Sequence, residues 1–430
     1  MRTVGELPAY DVVVIGGGAS GLAAAVSAAR QGARTCVIER DVQSGLSILA
    51  TGNGRCNVSN ATLESRRYRH PDVAARVLGT APEREIAEFF ESLGLMFAEE
   101  GEGRLYPVTR RAESVRDVLL AACSRAGVEL HCSSEVIRAE YAGGRWSLTI
   151  SEPAQPLSFK HAQDGKTELR RARKAAAEAA RTERVLRAHS VIIATGGASN
   201  DLCDIFDVPH IEANPVLCPI ACELAYPNAP QLSALDGLRV EAALALVRKG
   251  AVVAYEEGEV LFRPYGISGI AAFNLSRKIE PNDSIQLDLF PALNDAQLHQ
   301  LLIEREKLLG PFEDDPAWFD GLLARPLARV VCELLRPANK PLVSCASLLH
   351  RLTLHVTGTT EHAQAQVQRG GIPFEVVDLD SFALLHHEAL FVCGEALDMD
   401  ADCGGYNLAW AWISGMCAGN AAASALAHRA

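Results

Sequence analysis

The sequence predicts an α/β fold. A β-α-β unit opens the chain, two later buried strands end in glycines at the same sheet edge, and a mixed strand-and-helix unit is inserted between those two strands. Three observations carry this reading. The run Val12-Val13-Val14-Ile15 is short, apolar and β-branched, as a strand buried on both faces requires, and glycines break it at once. An alanine-rich helical segment, Ser20 to Gln31, follows and ends at Gly32, and a second strand, Thr35 to Ile38, ends at Glu39. Much later, Val191 to Ala194 runs into Thr195-Gly196-Gly197, and Ala389 to Cys393 runs into Gly394-Glu395.

The elements between these anchors follow from local pattern. PEREIAEFFESLGL, from Pro82, is an amphipathic helix ended by Gly94, and 112–126 is another, leading to a strand near Val128 to His131. Val136 to Tyr141 and Trp146 to Ile150 read as two strands turned by Gly143-Gly144. The segment 151–187 changes character: Lys166 to Arg187 carries eight basic and three acidic residues interleaved with alanine. It reads as an exposed helix or a disordered arm, a peripheral solvated insertion in preference to a nucleic-acid or partner contact. From 200 to about 360 lies the inserted unit. Its first half is strand-like and punctuated by Pro215, Pro219, Pro227, Pro230 and Gly237; helices follow near 294–309 and 316–336, and the strand-like LTLHVTG closes it. A final helix begins near Asn407.

Composition limits what such a chain does. With 430 residues, 48% hydrophobic and 22% charged, it has ample core for two or three domains, which excludes a disordered chain, a disulfide mini-scaffold and a collagen-like fibre. Net charge is −12, so the surface as a whole repels nucleic-acid phosphate and anionic lipid. Twelve cysteines with no CxxC among them read as free, mostly buried thiols of a reducing cytosol, with no metal site. Leu408 to Leu426 is uncharged but rich in Ala, Gly and Ser, so it reads as a buried helix with close neighbours and not a membrane span. The N-terminal MRTVGELPAY has no apolar stretch of the signal-peptide kind, and the expected location is cytoplasmic.

Between the first strand and helix stands Gly16-x-Gly18-x-x-Gly21. Gly16 permits the tight turn, Gly18 lets the backbone approach a pyrophosphate, and Gly21 lets the helix pack on the sheet with its N-terminus toward the phosphates. Glu39, 23 residues after Gly16, is placed to accept hydrogen bonds from an adenosine ribose. The choice between NAD and FAD turns on the later glycines. A flavin nucleotide is long and needs contacts at both ends, and the bends at Ala194-Thr195-Gly196 and Gly394-Glu395 supply them. The helix opening at Asn407 aims backbone N–H groups at the ring end, where they stabilise charge on reduced flavin.

At this point the sequence resembles a known family, the YhiN/BaiN-type flavoproteins, also described as aminoacetone-oxidase-like FAD-binding enzymes. The matching blocks are Gly16 to Gly21, Thr51 to Asn60 (TGNGRCNVSN), Gly103 to Pro107, Ala194 to Gly197, Gly258 to Phe262 with Tyr265 to Gly269, Gly370 to Ile372, and Cys393 to Glu395 through Cys403 to Trp412. They stand in family order over nearly the whole chain. The resemblance implies FAD held non-covalently by a discontinuous Rossmann-like domain (1–199 and 362–430, with 151–187 as a charged insertion). It implies an inserted β-rich domain (200–290 and 342–361) and a helical subdomain (291–341). It also implies that the GNGRCN loop lies along the flavin. There Gly52 and Gly54 admit close backbone approach, Arg55 supplies a cation near the flavin or substrate, and Cys56 packs or touches the flavin in preference to a redox role. The candidate cofactor contacts are Gly16, Gly18, Ala19, Ser20, Gly21, Glu39, Arg40, Thr51, Gly52, Gly54, Arg55, Cys56, Asn57, Val136, Ala194, Thr195, Gly196, Gly394, Glu395, Asn407 and Leu408.

The chain departs from the family pattern in three places: a Gly-rich helix start is missing between Ser199 and Pro215, Phe382 to Leu385 replaces a polar stretch, and the arm at 151–187 is longer than usual. The expected activity is an FAD-dependent oxidoreductase moving a hydride between flavin N5 and a small organic substrate. Within it, family members have been linked to reduction of bile-acid-like enones and to amine oxidation. A reductase would draw on NAD(P)H docking transiently, since there is one dinucleotide fingerprint and not two. The alternatives are a flavin-dependent amine oxidase and a non-catalytic, RNA-associated flavoprotein using the basic arm; no nucleic-acid or membrane partner is expected. Tyr106, Tyr265, His386 and His387 are conceivable proton donors, and no catalytic residue is assigned among them.

Overall fold

A computed structural model describes residues 9–155, 157, 166–197, 200–312, 315–336, 341–359 and 365–427. The chain divides into two compact units, Met1–Asn214 with Gln368–Ala430, and Pro215–Val367. Residues 200–214, grouped with the inserted unit on sequence grounds, thus belong with the first.

The opening follows the apolar pattern closely. Strand β1 (Ala9–Ile15) is followed by helix α1 (Ala19–Arg30) and β2 (Thr35–Ile38). Helix α2 (Leu46–Ala50), strand β3 (Ser59–Asn60), helices α3 (Pro71–Leu78) and α4 (Pro82–Leu93), and strands β4 (Phe97–Glu100) and β5 (Arg104–Pro107) come next. Gly94, at φ +94°, ends α4 in the left-handed conformation that glycine adopts without a Cβ clash. Helix α5 (Ala112–Arg125) and strand β6 (Glu129–His131) lead to the hairpin β7 (Glu135–Ala142) and β8 (Arg145–Pro153), turned by Gly143 and Gly144 at φ +60° and +78°.

Helix α6 (Lys166–Glu178) and strand β9 (Arg181–Ile193) correct the reading of the basic arm. Only its first part is an inserted helix. Arg181 to Arg187 are the start of β9 and pair with β8, and Leu186 is buried in the core. The helix is not peripheral either. Ala172 and Ala176, four residues apart on one face, bury against Val42, with Leu46, Leu157 and Leu169 around them. Helix α7 (Asn200–Phe206) and strand β10 (Ile211–Val216) complete this stretch.

The second unit is built on strands β11 (Ile220–Leu224), β12 (Arg239–Arg248), β13 (Ala251–Arg263) and β14 (Gly266–Ser268), helix α8 (Ile270–Ser276), then β15 (Ser284–Asp288). Helices α9 (Asp295–Leu309), α10 (Arg325–Leu335) and α11 (Pro341–His350) precede strand β16 (Leu352–Thr359). The six strands close into a barrel in the order β11-β14-β13-β12-β15-β16. Barrel residues such as Leu244, Phe262 and Ile285 share one core with Leu298, Val331 and Leu349 of the helices, so strands and helices have no separate cores. The helix expected over 316–336 is interrupted: Pro316–Phe319 is a single 3₁₀ turn, and Gly321 at φ +79° separates it from α10. Helix α11 lies largely within the segment expected to be β-rich.

The chain returns through β17 (Val367–Gly371), β18 (Leu390–Val392) and α12 (Tyr406–Ala427). Strands β6, β2, β1 and β9 run parallel, β18 joins β9 in the same sense, and β8 and β7 extend the sheet antiparallel. Val12, Ile193 and Phe391 therefore stand on one sheet. Helix α12 crosses α1 at close range because both are built from small residues: a Cβ on Gly415 or Gly419 would lie 2.4 Å or 2.3 Å from the carbonyl oxygens of Ser20 or Ala24. This accounts for its low hydrophobicity, and among the described residues no helix is long and apolar enough to cross a membrane.

Candidate active site

The site begins where β1 stops. Gly16, at φ +108°, lies so close to β9 that a Cβ there would meet the Ala194 carbonyl oxygen at 2.3 Å, and Gly21 sits over Gly16 so that its Cβ would be 1.9 Å from the Gly16 oxygen. Gly18 is the residue before α1, with no side chain to cap the first turn and no acidic residue there. The helix therefore presents backbone N–H groups and the positive end of its dipole, as an anion requires. A Cβ on Gly18 would meet nothing nearer than the Ser47 hydroxyl at 3.1 Å, so there is room above this backbone.

Glu39 is clamped by this loop. Its Oε2 accepts the Gly17 N–H at 2.7 Å and its Oε1 the Asp41 N–H at 2.6 Å. Desolvation raises its pKa, and the two backbone donors counter part of that rise. Gly17 itself admits no side chain, since a Cβ would be 2.5 Å from the Ser44 hydroxyl. The sequence gives no spacing signal for Ser44. Arg40 is exposed beside this turn, while Val136 is buried in β7, two residues after Ser134, whose N–H binds the Glu39 carbonyl oxygen at 2.9 Å.

The two later bends arrive beside the first. Gly196 turns at φ +65°. Gly394 turns at φ +70° against α1, with its N–H on the Ser414 hydroxyl at 2.9 Å and its carbonyl receiving the Trp410 indole N–H at 3.1 Å. Glu395 Oε1 accepts the Gln368 N–H at 2.6 Å. Desolvation, with the Asp400 charge adding to it, pushes the Glu395 carboxyl up to about 7. A Cβ on Gly197 would strike both the Gln368 side chain and Glu395. Gln368, which nothing in the sequence pattern singled out, thus lines the same bend.

The segment Thr51 to Asn57 is the least ordinary backbone in this unit. Gly52, Asn53, Gly54 and Cys56 have φ of +55°, +55°, +83° and +55°, two of them at non-glycine positions. Thr51 anchors it, its hydroxyl on the Ile48 carbonyl at 2.7 Å and its own carbonyl accepting the Cys56 N–H at 3.1 Å. Cys56 is fully buried, and burial pushes its thiol up to about 12, which leaves it no reactive thiolate. Arg55 does not stand as a lone cation: its guanidinium binds Glu100, which also binds Arg110 at 3.2 Å, and it stacks 4.2 Å above the Tyr106 ring.

This loop is tied to the start of α12. Asn60 Nδ2 binds the Gly404 carbonyl at 3.1 Å, the Trp412 indole N–H binds the Val58 carbonyl at 2.9 Å, and Gly405 leaves no space for a Cβ beside Ser59. The Asn407 side chain is occupied with Ala401 and Asp402, so what Asn407 and half-buried Leu408 offer a ligand is the first helical turn of backbone. Phe382, in the stretch that departs from the family pattern, is fully buried against Trp410. Of the conceivable proton donors, Tyr106 is buried under Arg55, His386 is exposed, His387 binds the Leu385 carbonyl, and Tyr265 belongs to the second unit.

Two features fit a dinucleotide cofactor. The bends leave open space over Gly18 and Gly196, where an added Cβ meets little or no protein. Two buried side-chain oxygens, Asn57 Oδ1 in the 51–57 loop and Gln368 Oε1 beside the bend at Gly197, have no hydrogen-bond partner among the described residues.

Comparison with known proteins agrees with this geometry. The family described as HI0933-like protein Rossmann domain matches residues 10–161 and 157–421. A 3-dehydro-bile acid delta(4,6)-reductase of Clostridium scindens is 30% identical over 95% of this chain and 98% of its own length. Ribosomal RNA dihydrouridine synthases of Escherichia coli and Haemophilus influenzae are 24% and 23% identical, each over 94% of this chain and 96% of their own length. The chain belongs to the HI0933-like Rossmann family and is an FAD-dependent oxidoreductase.

Proposed function

We propose that this enzyme saturates a carbon–carbon double bond conjugated to a carbonyl group in a small, largely apolar molecule, with NADH or NADPH as the external reductant. The observation that carries the reading is the likeness to the bile-acid reductase, 30% identical along nearly the whole length of both chains. The dihydrouridine relatives support the reaction class, because the 5,6 double bond of uracil is also conjugated to a carbonyl. The net charge of −12 favours a small molecule over RNA as the substrate.

The residues divide the work. Bound FAD supplies the hydride chemistry. Gly16, Gly18 and the N-terminus of α1 hold its phosphates, Glu39 a ribose, and Glu395 the hydroxyls of the bend beside β18. The first turn of α12 presents N–H dipoles where negative charge develops. Arg55, held by Glu100 and the Tyr106 ring, orients the carbonyl side of the substrate, and the nicotinamide docks transiently since the described residues hold one glycine-rich dinucleotide loop.

Anaerobic mixing tests this reading. NADH or NADPH should bleach the yellow flavin band, and a panel of 3-oxo-4-ene steroids should restore it with a saturated product. Absence of bleaching, together with hydrogen peroxide production from an amine, would replace the reading with the amine oxidase; reoxidation by uridine-containing RNA but not by steroids would replace the substrate class.

A further inference from the structure

The arm helix α6 does not stand free of the cofactor loop. It emerges from the tip of the β8–β9 hairpin, where Pro153 still pairs with Arg181 and the Ala154 N–H binds the Ala180 carbonyl at 2.8 Å. From there it lies across residues 41–46. Ala172 and Ala176 cover Val42, and Leu169 of the arm and Leu46 at the start of α2 both pack against this cluster. Beside this apolar contact, Arg173 grips Asp41 with two parallel bonds, Nε to Oδ1 at 3.0 Å and Nη2 to Oδ2. Asp41 is the residue whose N–H holds Glu39 Oε1, and its Oδ1 also accepts the Val42 N–H at 2.7 Å. The carbonyl of the same residue takes the Ser133 N–H at 2.8 Å. Arg173 is thus one bond removed from the carboxylate assigned to the ribose.

We propose that α6, through Arg173, is a positioning element for the adenosine end of bound FAD: it fixes the Glu39–Val42 turn so that the Glu39 carboxylate is preset for the sugar hydroxyls. The proposal rests on Glu39 as the ribose acceptor. Pre-ordering that turn removes a cost that binding otherwise carries, so the arm acts on cofactor affinity and residence time and not on the chemical step. Arg173 is half-exposed, and salt screens the pair. FAD affinity should therefore fall with ionic strength in the wild type.

The test uses full-length apoprotein titrated with FAD by fluorescence quenching, with dissociation followed after dilution. Because Ala154 and Ala180 already face each other, residues 155–179 can be replaced by an Asn-Gly turn without disturbing the sheet. Arg173→Ala should weaken FAD binding about fivefold and flatten its salt dependence. The arm replacement should weaken it roughly tenfold or more and speed dissociation in proportion. Apoprotein Tm should be unchanged in both, with circular dichroism unchanged in Arg173→Ala and lowered in the arm replacement only by the helix removed, and Arg173→Lys should recover only part of the loss, since an ammonium cannot make the paired contact. Affinity within about twofold of wild type in both variants overturns the proposal, as does an affinity loss matched by a fall in apoprotein Tm. Unchanged FAD binding with loss of RNA retention would assign the arm to nucleic acid instead. Failure of wild-type apoprotein to take up FAD overturns the cofactor reading itself, and this proposal with it.

Discussion

Gly394 and Ser20 meet between the bend after β18 and the start of α1: a Cβ on Gly394 would lie 2.3 Å from the Ser20 hydroxyl oxygen and 2.7 Å from its Cβ. The contact locks the last parallel strand to the first helix. Gly394→Ala meets both this clash and a left-handed φ of +70°, and is expected to cost about 2–3 kcal/mol in apoprotein stability. Ser20→Gly in the same chain should restore the steric part and leave the backbone part. Thermal unfolding of the single and double variants measures both.

Gly18 and Gly21 separate cofactor binding from folding. Gly21→Ala forces a methyl to 1.9 Å from the Gly16 carbonyl oxygen and should yield little folded protein. Gly18→Ala meets only the Ser47 hydroxyl at 3.1 Å, so the apoprotein should fold with an unchanged Tm and yet lose FAD, its methyl standing where the pyrophosphate approaches. Flavin content after purification, set beside Tm, decides; a Gly18→Ala protein with full flavin places the phosphates elsewhere.

With Glu395 at the cofactor, FAD affinity is expected to depend on pH. Its carboxyl is raised from 4.5 to about 7, chiefly by desolvation, so the folded apoprotein holds this proton more tightly than the unfolded chain. The stability due to this group is complete below about 4.5, falls as pH rises toward about 7, and is level above. Sugar hydroxyls donating to Glu395 would favour its charged form, so FAD binding should expel the proton and affinity should rise with pH up to about 7. Glu395→Gln should remove both slopes, as read from FAD titrations and apoprotein melts across that range.

Cys56 should behave as packing. Iodoacetamide on the native protein should spare it until the chain unfolds, because the thiol is buried and pushed up to about 12. Cys56→Ala should cost roughly 1–2 kcal/mol of stability and leave the rate of flavin reduction by NADPH unchanged. Peptide mapping of alkylated protein checks the first, stopped-flow absorbance the second. Rapid native labelling of Cys56 would reopen a redox role.

The sheet and the phosphate loop were legible because their signals are local. Val12 to Ile15 and Val191 to Ala194 are buried on both faces, and such strands write themselves as unbroken apolar runs. The left-handed loop was legible only as a family block: Gly52, Asn53 and Gly54 suit positive φ, but Cys56 at positive φ follows no propensity rule. What stayed hidden was contact between distant segments. Gln368 reaches Glu395 through one backbone hydrogen bond, and Ser44 meets Gly17 through van der Waals contact, neither of which leaves a spacing pattern. The basic arm misled for a related reason. Its charge dominates the composition, whereas its placement is decided by two alanines and a leucine.

Strand Leu390–Val392 pairs with Val191–Ile193, yet the ribosome makes it only after the entire barrel unit has emerged. Throughout that interval a fully apolar sheet margin has no partner, which is the circumstance that invites wrong pairing and chaperone capture. Nascent chains arrested before Leu390 should accordingly be the most aggregation-prone intermediates in its biogenesis, and translation speed across the barrel should govern the yield of soluble enzyme.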